Sequence, residues 1–258
     1  MNKVEGIILD WAGTADIFKN AGLDVTMEEA RAPMGMLKID HIRAMLTMPR
    51  ISSLWEEQYG RPFNEEDVEK LYAEFEPALM MSLADYTDPI PGVIETVEAL
   101  RNRGLKIGST TGYTDTMMEV VVPNALKKGY RPDFHVAPDA THSIGRPYPY
   151  MIYRNMEELK LTASWKVVKV GDTVSDMQEG VNAGVWSVGI IVGSSEMGLS
   201  LNEYTSLPER DKQNLISKTA DTFMQNGADF TIKTIEELPE LIDRINLLIT
   251  EGKRPHSS

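Results

Sequence analysis

The chain has 258 residues, 42% of them hydrophobic and 25% charged, with 26 basic against 39 acidic side chains, a formal charge of −13 and no cysteine. That length and balance describe a globular chain of one large domain, or of one domain carrying an insertion, with enough apolar content for a real core. The negative charge argues against sequence-independent binding of DNA or RNA, and the absence of cysteine excludes a disulfide scaffold, a thiolate metal site and a cysteine nucleophile. Met1 to Leu9 holds one short apolar run that stops at Asp10 without a small-residue cleavage site. The longest apolar run, Val185 to Gly193, is too short to span a bilayer. A cytoplasmic protein with no membrane segment is the expectation.

Short strand-like runs alternate with helix-like segments. Val4 to Asp10 reads as a buried strand ending in a carboxylate, and further strands are expected over Leu105–Thr110, Asp133–Ala137, Lys166–Asp172, Ser187–Val192 and Asp229–Ile232. Periodic apolar stretches lie between them: Val93–Arg103, Asp115–Lys128, Pro147–Lys160, Ser175–Ala183 and Ile235–Ile249. Several are followed by glycine, a helix stop. Strand, helix, strand at this spacing predicts right-handed crossovers and a parallel sheet covered by helices, an α/β core.

Residues 16–88 break that rhythm. Leu37–Leu46, Ser52–Tyr59 and Glu65–Leu83 read as helix upon helix, with Pro77 expected to kink or end the third. The architecture expected is a core made of residues 1–15 and 89–258, interrupted after its first strand by a helical cap of residues 16–88.

In an open parallel sheet, ligands gather at the carboxyl ends of the strands. The first strand ends in Asp10-Trp11-Ala12-Gly13-Thr14, the second in Ser109-Thr110-Thr111-Gly112-Tyr113, and the fourth in Gly171-Asp172-Thr173-Val174-Ser175-Asp176. Asp172 and Asp176, four residues apart across a strand-to-helix turn, can face one point. With Asp10 they form an oxygen-rich site for a hard cation, and Mg²⁺ suits it better than zinc. Each motif alone has a plainer reading, as a helix cap or a turn. Their convergence is what points to chemistry.

Asp10-x-x-Gly13-Thr14, the Ser109–Gly112 strand end, Arg146-Pro147 and Gly171-Asp172-x-x-x-Asp176, in that order, resemble the haloacid dehalogenase superfamily. The resemblance covers essentially the whole chain. It implies a Rossmann-like parallel-sheet core with an inserted all-helical C1-type cap. Within the superfamily the likeness is to the phosphonatases, and three features carry it. Ala12 stands where the superfamily's phosphatases have the aspartic acid that protonates a leaving alkoxide. Lys38, within Ala32-Pro33-Met34-Gly35-Met36-Leu37-Lys38-Ile39-Asp40-His41, matches the phosphonatase cap motif. Arg146 stands where the wider superfamily has lysine, and Pro147 after it is expected to open the next helix. A lysine that condenses with an aldehyde lets a departing carbon leave as an enamine, so the missing acid and the added amine explain one another.

The resemblance thus implies hydrolysis of a C–P bond, with Asp10 as nucleophile, Lys38 as Schiff-base former, His41 as proton relay and Arg146 as partner of the phosphoryl oxygens. It implies substrate contacts from Thr111, Gly112, Tyr113, Met34 and Gly35, and a Mg²⁺ held by Asp10, Asp172, Asp176 and the backbone of Ala12. It also implies a small phosphonate substrate and a homodimer formed through the cap. The sequence departs from the family pattern at Thr14–Asp16, where the family's chain runs longer before the cap. Two other readings stay open at this point: a catalytically impaired core-and-cap protein that binds a phosphorylated ligand, and another haloacid dehalogenase-like hydrolase.

Overall fold

The computed structural model describes residues 3–11 and 24–256. The Thr14–Asp16 junction and Ala12 lie outside the described residues.

The first strand, β1 (Gly6–Trp11), carries the unbroken apolar run Ile7-Ile8-Leu9, buried on both faces as a central parallel strand requires. Helices α1 (Met27–Arg31), α2 (Lys38–Leu46), α3 (Pro49–Tyr59) and α4 (Glu65–Ser82) follow before the chain returns through α5 (Val93–Asn102) to β2 (Lys106–Thr111). From there it runs through α6 (Asp115–Lys127), β3 (Phe134–Val136), α7 (Tyr150–Glu158), β4 (Val167–Gly171), α8 (Val174–Ala183) and β5 (Trp186–Ile190). It ends with α9 (Leu201–Ser206), α10 (Glu209–Gln225), β6 (Phe230–Ile232) and α11 (Leu238–Thr250). The strands form one six-stranded sheet in the order β3-β2-β1-β4-β5-β6, with every pairing parallel. Strand order reverses beside β1, so the ends of β2, β1 and β4 open side by side at the switch point where ligands bind in such sheets.

Alternation along the strands sorts the core into two faces. Ile7, Leu9, Val168 and Val170 pack with Val97 and Leu100 of α5 and with Ile242 and Ile245 of α11. Ile8 and Val167 point the other way, toward Ile152 of α7 and Ala183 of α8. The helical cap has its own apolar centre, in which Ile42, Met45 and Leu46 of α2 meet Ile51 and Trp55 of α3 and Val68 of α4. A third cluster forms the seam between cap and sheet, where Leu79 and Leu83 pack on Tyr113, Met117, Met118 and Val121. No described helix is long and apolar enough to cross a membrane.

Two expectations need correction, and one stretch carries helices that no expectation covered. The helix expected over Glu65–Leu83 is present as α4, but it does not end at Pro77: it runs on to Ser82, carrying Leu79 into the buried seam, and that burial offsets the hydrogen bond proline cannot make. Pro147 does not open α7. The chain turns there, with the Tyr148 N–H bonded to the Gly145 carbonyl at 3.1 Å, and the helix starts at Tyr150. The segment between β5 and β6 holds two helices that periodicity does not announce. In α10 only Thr219 and Phe223 are buried, so its sequence is polar nearly all round.

Candidate active site

The backbone brings the three expected strand ends together. In the β1–β2 register Asp10 lies opposite Thr110 and Trp11 opposite Thr111, while β4 delivers Gly171 and then Asp172 on the other side of β1. Thr173 caps α8 reciprocally: its hydroxyl accepts from the Asp176 N–H at 3.2 Å, and the Asp176 carboxylate accepts from the Thr173 N–H at 3.2 Å and from its hydroxyl at 2.6 Å. The capping box therefore fixes the second acid of the pair. Carboxylate oxygens of Asp10, Asp172 and Asp176 all lie within 4.8 Å of one another.

Asp172 is steadied from outside the expected motifs. Ser195, in the loop after β5, donates both its backbone N–H and its hydroxyl to one Asp172 oxygen, each at 2.8 Å. Burial, together with the charges of Asp10 and Asp176, pushes the Asp172 pKa up to about 7. Asp176 shows the opposite balance. Burial works against its charge, but Arg146 and Lys169 hold its pKa below the usual carboxylate range. Three carboxylates this close, one of them forced toward protonation and all offering oxygen donors, fit a hard divalent cation.

Arg146 is the centre of the site. Its guanidinium, 2% exposed, contacts Asp10, donates to the Thr110 hydroxyl at 2.9 Å, and pairs through Nε with Glu179 at 3.1 Å and Asp176 at 3.3 Å. Burial works against its charge, yet Asp10, Asp176 and Glu179 more than offset this and raise its pKa above the ordinary arginine value. It also donates to the Gly35 carbonyl at 3.3 Å, linking the core to the cap.

Lys38, the first residue of α2, enters the same cavity from the cap. It is 2% exposed, with its ammonium nitrogen 5.3 Å from the centre of the Tyr113 ring. Burial, opposed by Asp10 and reinforced by Arg146, lowers its pKa from 10.5 to about 8. His41, one turn along α2, is buried, and its Nε2 lies 2.9 Å from the Ala30 carbonyl, which assigns the ring N–H to that nitrogen. Burial and then Lys38 lower its pKa to about 3, so the imidazole is neutral at physiological pH. Met34, Gly35, Thr111, Gly112 and Tyr113 line the cavity with Asp10, Lys38 and Arg146. His41 lies behind it, and Ala12 lies outside the described residues.

Two glycines set how closely cap and core approach. Gly35 has φ of +85°, and a β-carbon there would stand 2.5 Å from the Thr173 hydroxyl. A β-carbon on Gly112 would stand 2.6 Å from the Met36 carbonyl. The residues that motif reading missed are Lys169, Glu179 and Ser195. The first two carried a usable signal: a lysine inside a strand buried on both faces, and a glutamate one helical turn beyond Asp176, must find partners. From the glycine contacts we expect Gly112→Ala to hold the cap away from Lys38's side of the cavity and lower kcat/KM about 100-fold with unchanged circular dichroism. Activity within twofold of the parent would show that the close approach is unnecessary.

Comparison with known proteins agrees with this geometry. The model of the haloacid dehalogenase-like hydrolase family matches residues 5–184. A phosphonoacetaldehyde hydrolase from Lysinibacillus sphaericus is 55% identical over 257 residues, covering 95% of this chain and 96% of the relative. One from Bacillus cereus is 47% identical, covering 94% of this chain and 97% of its own length. The crystal structure of a phosphonoacetaldehyde hydrolase-like protein from Oleispira antarctica superposes with a TM-score of 0.91 at 34% identity, covering 98% of this chain and 96% of that one. The chain belongs to the haloacid dehalogenase-like hydrolase family.

Proposed function

We propose that this chain hydrolyses the C–P bond of phosphonoacetaldehyde, releasing acetaldehyde and phosphate. The observation that carries the reading is a buried lysine amine, supplied by the cap, opening into the same cavity as Asp10 and Arg146. The relatives named for this activity support it over nearly their whole length. In this reading residues 1–15 and 89–258 are the catalytic core and residues 16–88 the cap.

The neutral Lys38 amine attacks the aldehyde carbon, and loss of water leaves a protonated imine. His41, neutral and on the same helix, relays protons in that exchange. The Asp10 carboxylate then attacks phosphorus in line. The P–C bond breaks, its electron pair flows into the iminium, and an enamine leaves. Protonation of the enamine carbon and hydrolysis of the imine release acetaldehyde and return the Lys38 amine. Water attacks the Asp10 acyl phosphate and frees phosphate. Arg146 pairs with the phosphoryl oxygens and offsets their charge against Asp10, a task for which its planar fork suits it better than an ammonium would. Thr111 and Gly112 offer a hydroxyl and a backbone N–H to the same oxygens, while Tyr113, Met34 and Gly35 shape the aldehyde end. Asp10, Asp172, Asp176 and the Ala12 carbonyl would hold Mg²⁺, which when bound screens the carboxylates and the phosphoryl group from one another.

Homodimerisation through the cap and a cytoplasmic location belong to the same reading, and sedimentation equilibrium at micromolar concentration is expected to give twice the chain mass of 28.9 kDa. Incubation with phosphonoacetaldehyde and Mg²⁺ is expected to yield acetaldehyde and phosphate in equal amounts. Borohydride added during turnover should label Lys38, and Lys38→Ala should abolish both label and turnover. Undiminished phosphate release by Lys38→Ala overturns the imine route, and binding without turnover in the parent favours the impaired core-and-cap reading. The pH profile follows from the lowered Lys38 pKa. The reactive form is the neutral amine, so kcat/KM should rise with pH and level off above about 8. A rate that is flat through that pH is the contrary result.

A further inference from the structure

Beneath the cavity floor lies a buried polar cluster that touches none of the space where substrate would sit. Glu179 of α8 and Lys169 of β4 are both 0% exposed. One Glu179 oxygen accepts from Arg146 Nε at 3.1 Å, from the Thr110 hydroxyl at 3.2 Å and lies 3.1 Å from the Lys169 ammonium. Lys169 in turn donates to the Thr110 oxygen at 2.8 Å and stands 2.9 Å from Asp176. The Thr110 hydroxyl, giving one hydrogen bond and receiving two, has its full capacity used.

We infer that Glu179 and Lys169 are positioning residues: Glu179 fixes the Nε edge of Arg146 so that its other edge faces Asp10, and Lys169 fixes Asp176 within the carboxylate triad. Charge explains why the pair exists in both members. Four carboxyl groups, Asp10, Asp172, Asp176 and Glu179, face two basic groups, Arg146 and Lys169, an acidic excess that a divalent cation would offset. The Glu179–Lys169 pair is itself neutral, so it adds orientation without changing that balance. Glu179 without Lys169 would make the cluster more negative, and Lys169 without Glu179 would repel Arg146 and compete for Asp176. Both side chains are fully buried, so removing either leaves the other's polar atoms without a partner.

The inference rests on the hydrolase reading, and the parent protein separates the two: failure of the parent to cleave phosphonoacetaldehyde refutes that reading, whereas a working parent with unaffected variants refutes this one. Glu179→Gln and Lys169→Met are compared with the parent by circular dichroism, steady-state kinetics, borohydride trapping at Lys38 and calorimetric titration with Mg²⁺. In folded variants kcat is expected to fall about 10- to 100-fold with KM within about threefold, because the lost contact acts through Arg146 and Asp176 rather than on substrate. Trapping at Lys38 should stay at the parental level, since imine formation precedes the attack by Asp10. The Mg²⁺ dissociation constant should move at least about threefold in opposite directions, weaker for Glu179→Gln and tighter for Lys169→Met, because the two changes alter the cluster's charge with opposite sign. General damage would weaken it in both. Parental kcat in folded Glu179→Gln, or Mg²⁺ affinity shifting the same way in both variants, overturns the inference. If the charge variants do not fold, Thr110→Val keeps the shape and the charge while removing the shared hydroxyl. It should lower kcat at least about fivefold with Mg²⁺ affinity unchanged, and parental kcat there overturns the inference equally.

Discussion

The rest of the site depends on the burial of one guanidinium. Arg146 sits among Asp10, Asp176, Glu179 and the Thr110 hydroxyl with 2% of its surface exposed. A charge so placed is tolerable only when every neighbouring oxygen is fixed, and removing one partner of such a pair typically costs about 3–5 kcal/mol. The constraint runs outward. It requires β1 to carry Asp10 near its carboxyl end, β2 to present Thr110 beside it, and α8 to turn Asp176 and Glu179 inward one helical turn apart. The sheet order supplies this, because β1 lies between β2 and β4 and all three end on the same side.

Burial then works differently on neighbouring groups. Arg146 keeps its proton because carboxylates outnumber cations around it. Asp172 gains affinity for a proton because its neighbours are acids, and two Ser195 hydrogen bonds only soften that pressure. Lys38 enters from the cap and meets both Asp10 and Arg146, so its desolvation is incompletely repaid and its amine loses its proton more readily. Within one cavity the environment thus separates a permanent cation from a lysine able to act as a nucleophile.

The sheet was legible because parallel strands buried on both faces leave unmistakable runs, Ile7-Ile8-Leu9 and Val167-Val168 among them, and because site residues in such folds follow strand ends. Asp10, Thr111, Asp172 and Asp176 could be placed for that reason. Lys38 could not be derived from periodicity, since a lysine opening a helix is ordinarily solvated; only its motif marked it. What stayed hidden followed from features with no local signature. Helix α10 buries little apolar surface, so its pattern is weak. Lys169 stands out as a lysine inside a strand buried on both faces, but which groups it meets is not local: Thr110 comes from β2, far along the chain, and Asp176 and Glu179 depend on how α8 turns inward. Ser195 lies in a loop whose position depends on where β5 ends.

The cap is a structural necessity for the chemistry as well as a cover. The core alone presents the carboxylates and the guanidinium, and in the proposed reaction it is the cap that adds the amine a departing carbon needs as an electron sink. The amine arrives only when the turn before α2 reaches the ends of β2 and β4, and that approach is closest at Gly35 and Gly112, where no side chain intervenes. The same approach excludes water from Lys38, and exclusion of water is what lowers its pKa. Delivery of the Lys38 amine to the cavity and the lowering of its pKa are therefore one event. A cap that stopped short of contact would leave Lys38 outside the cavity and solvated, without the burial that lowers its pKa, so closure and the state of this amine are coupled in this fold.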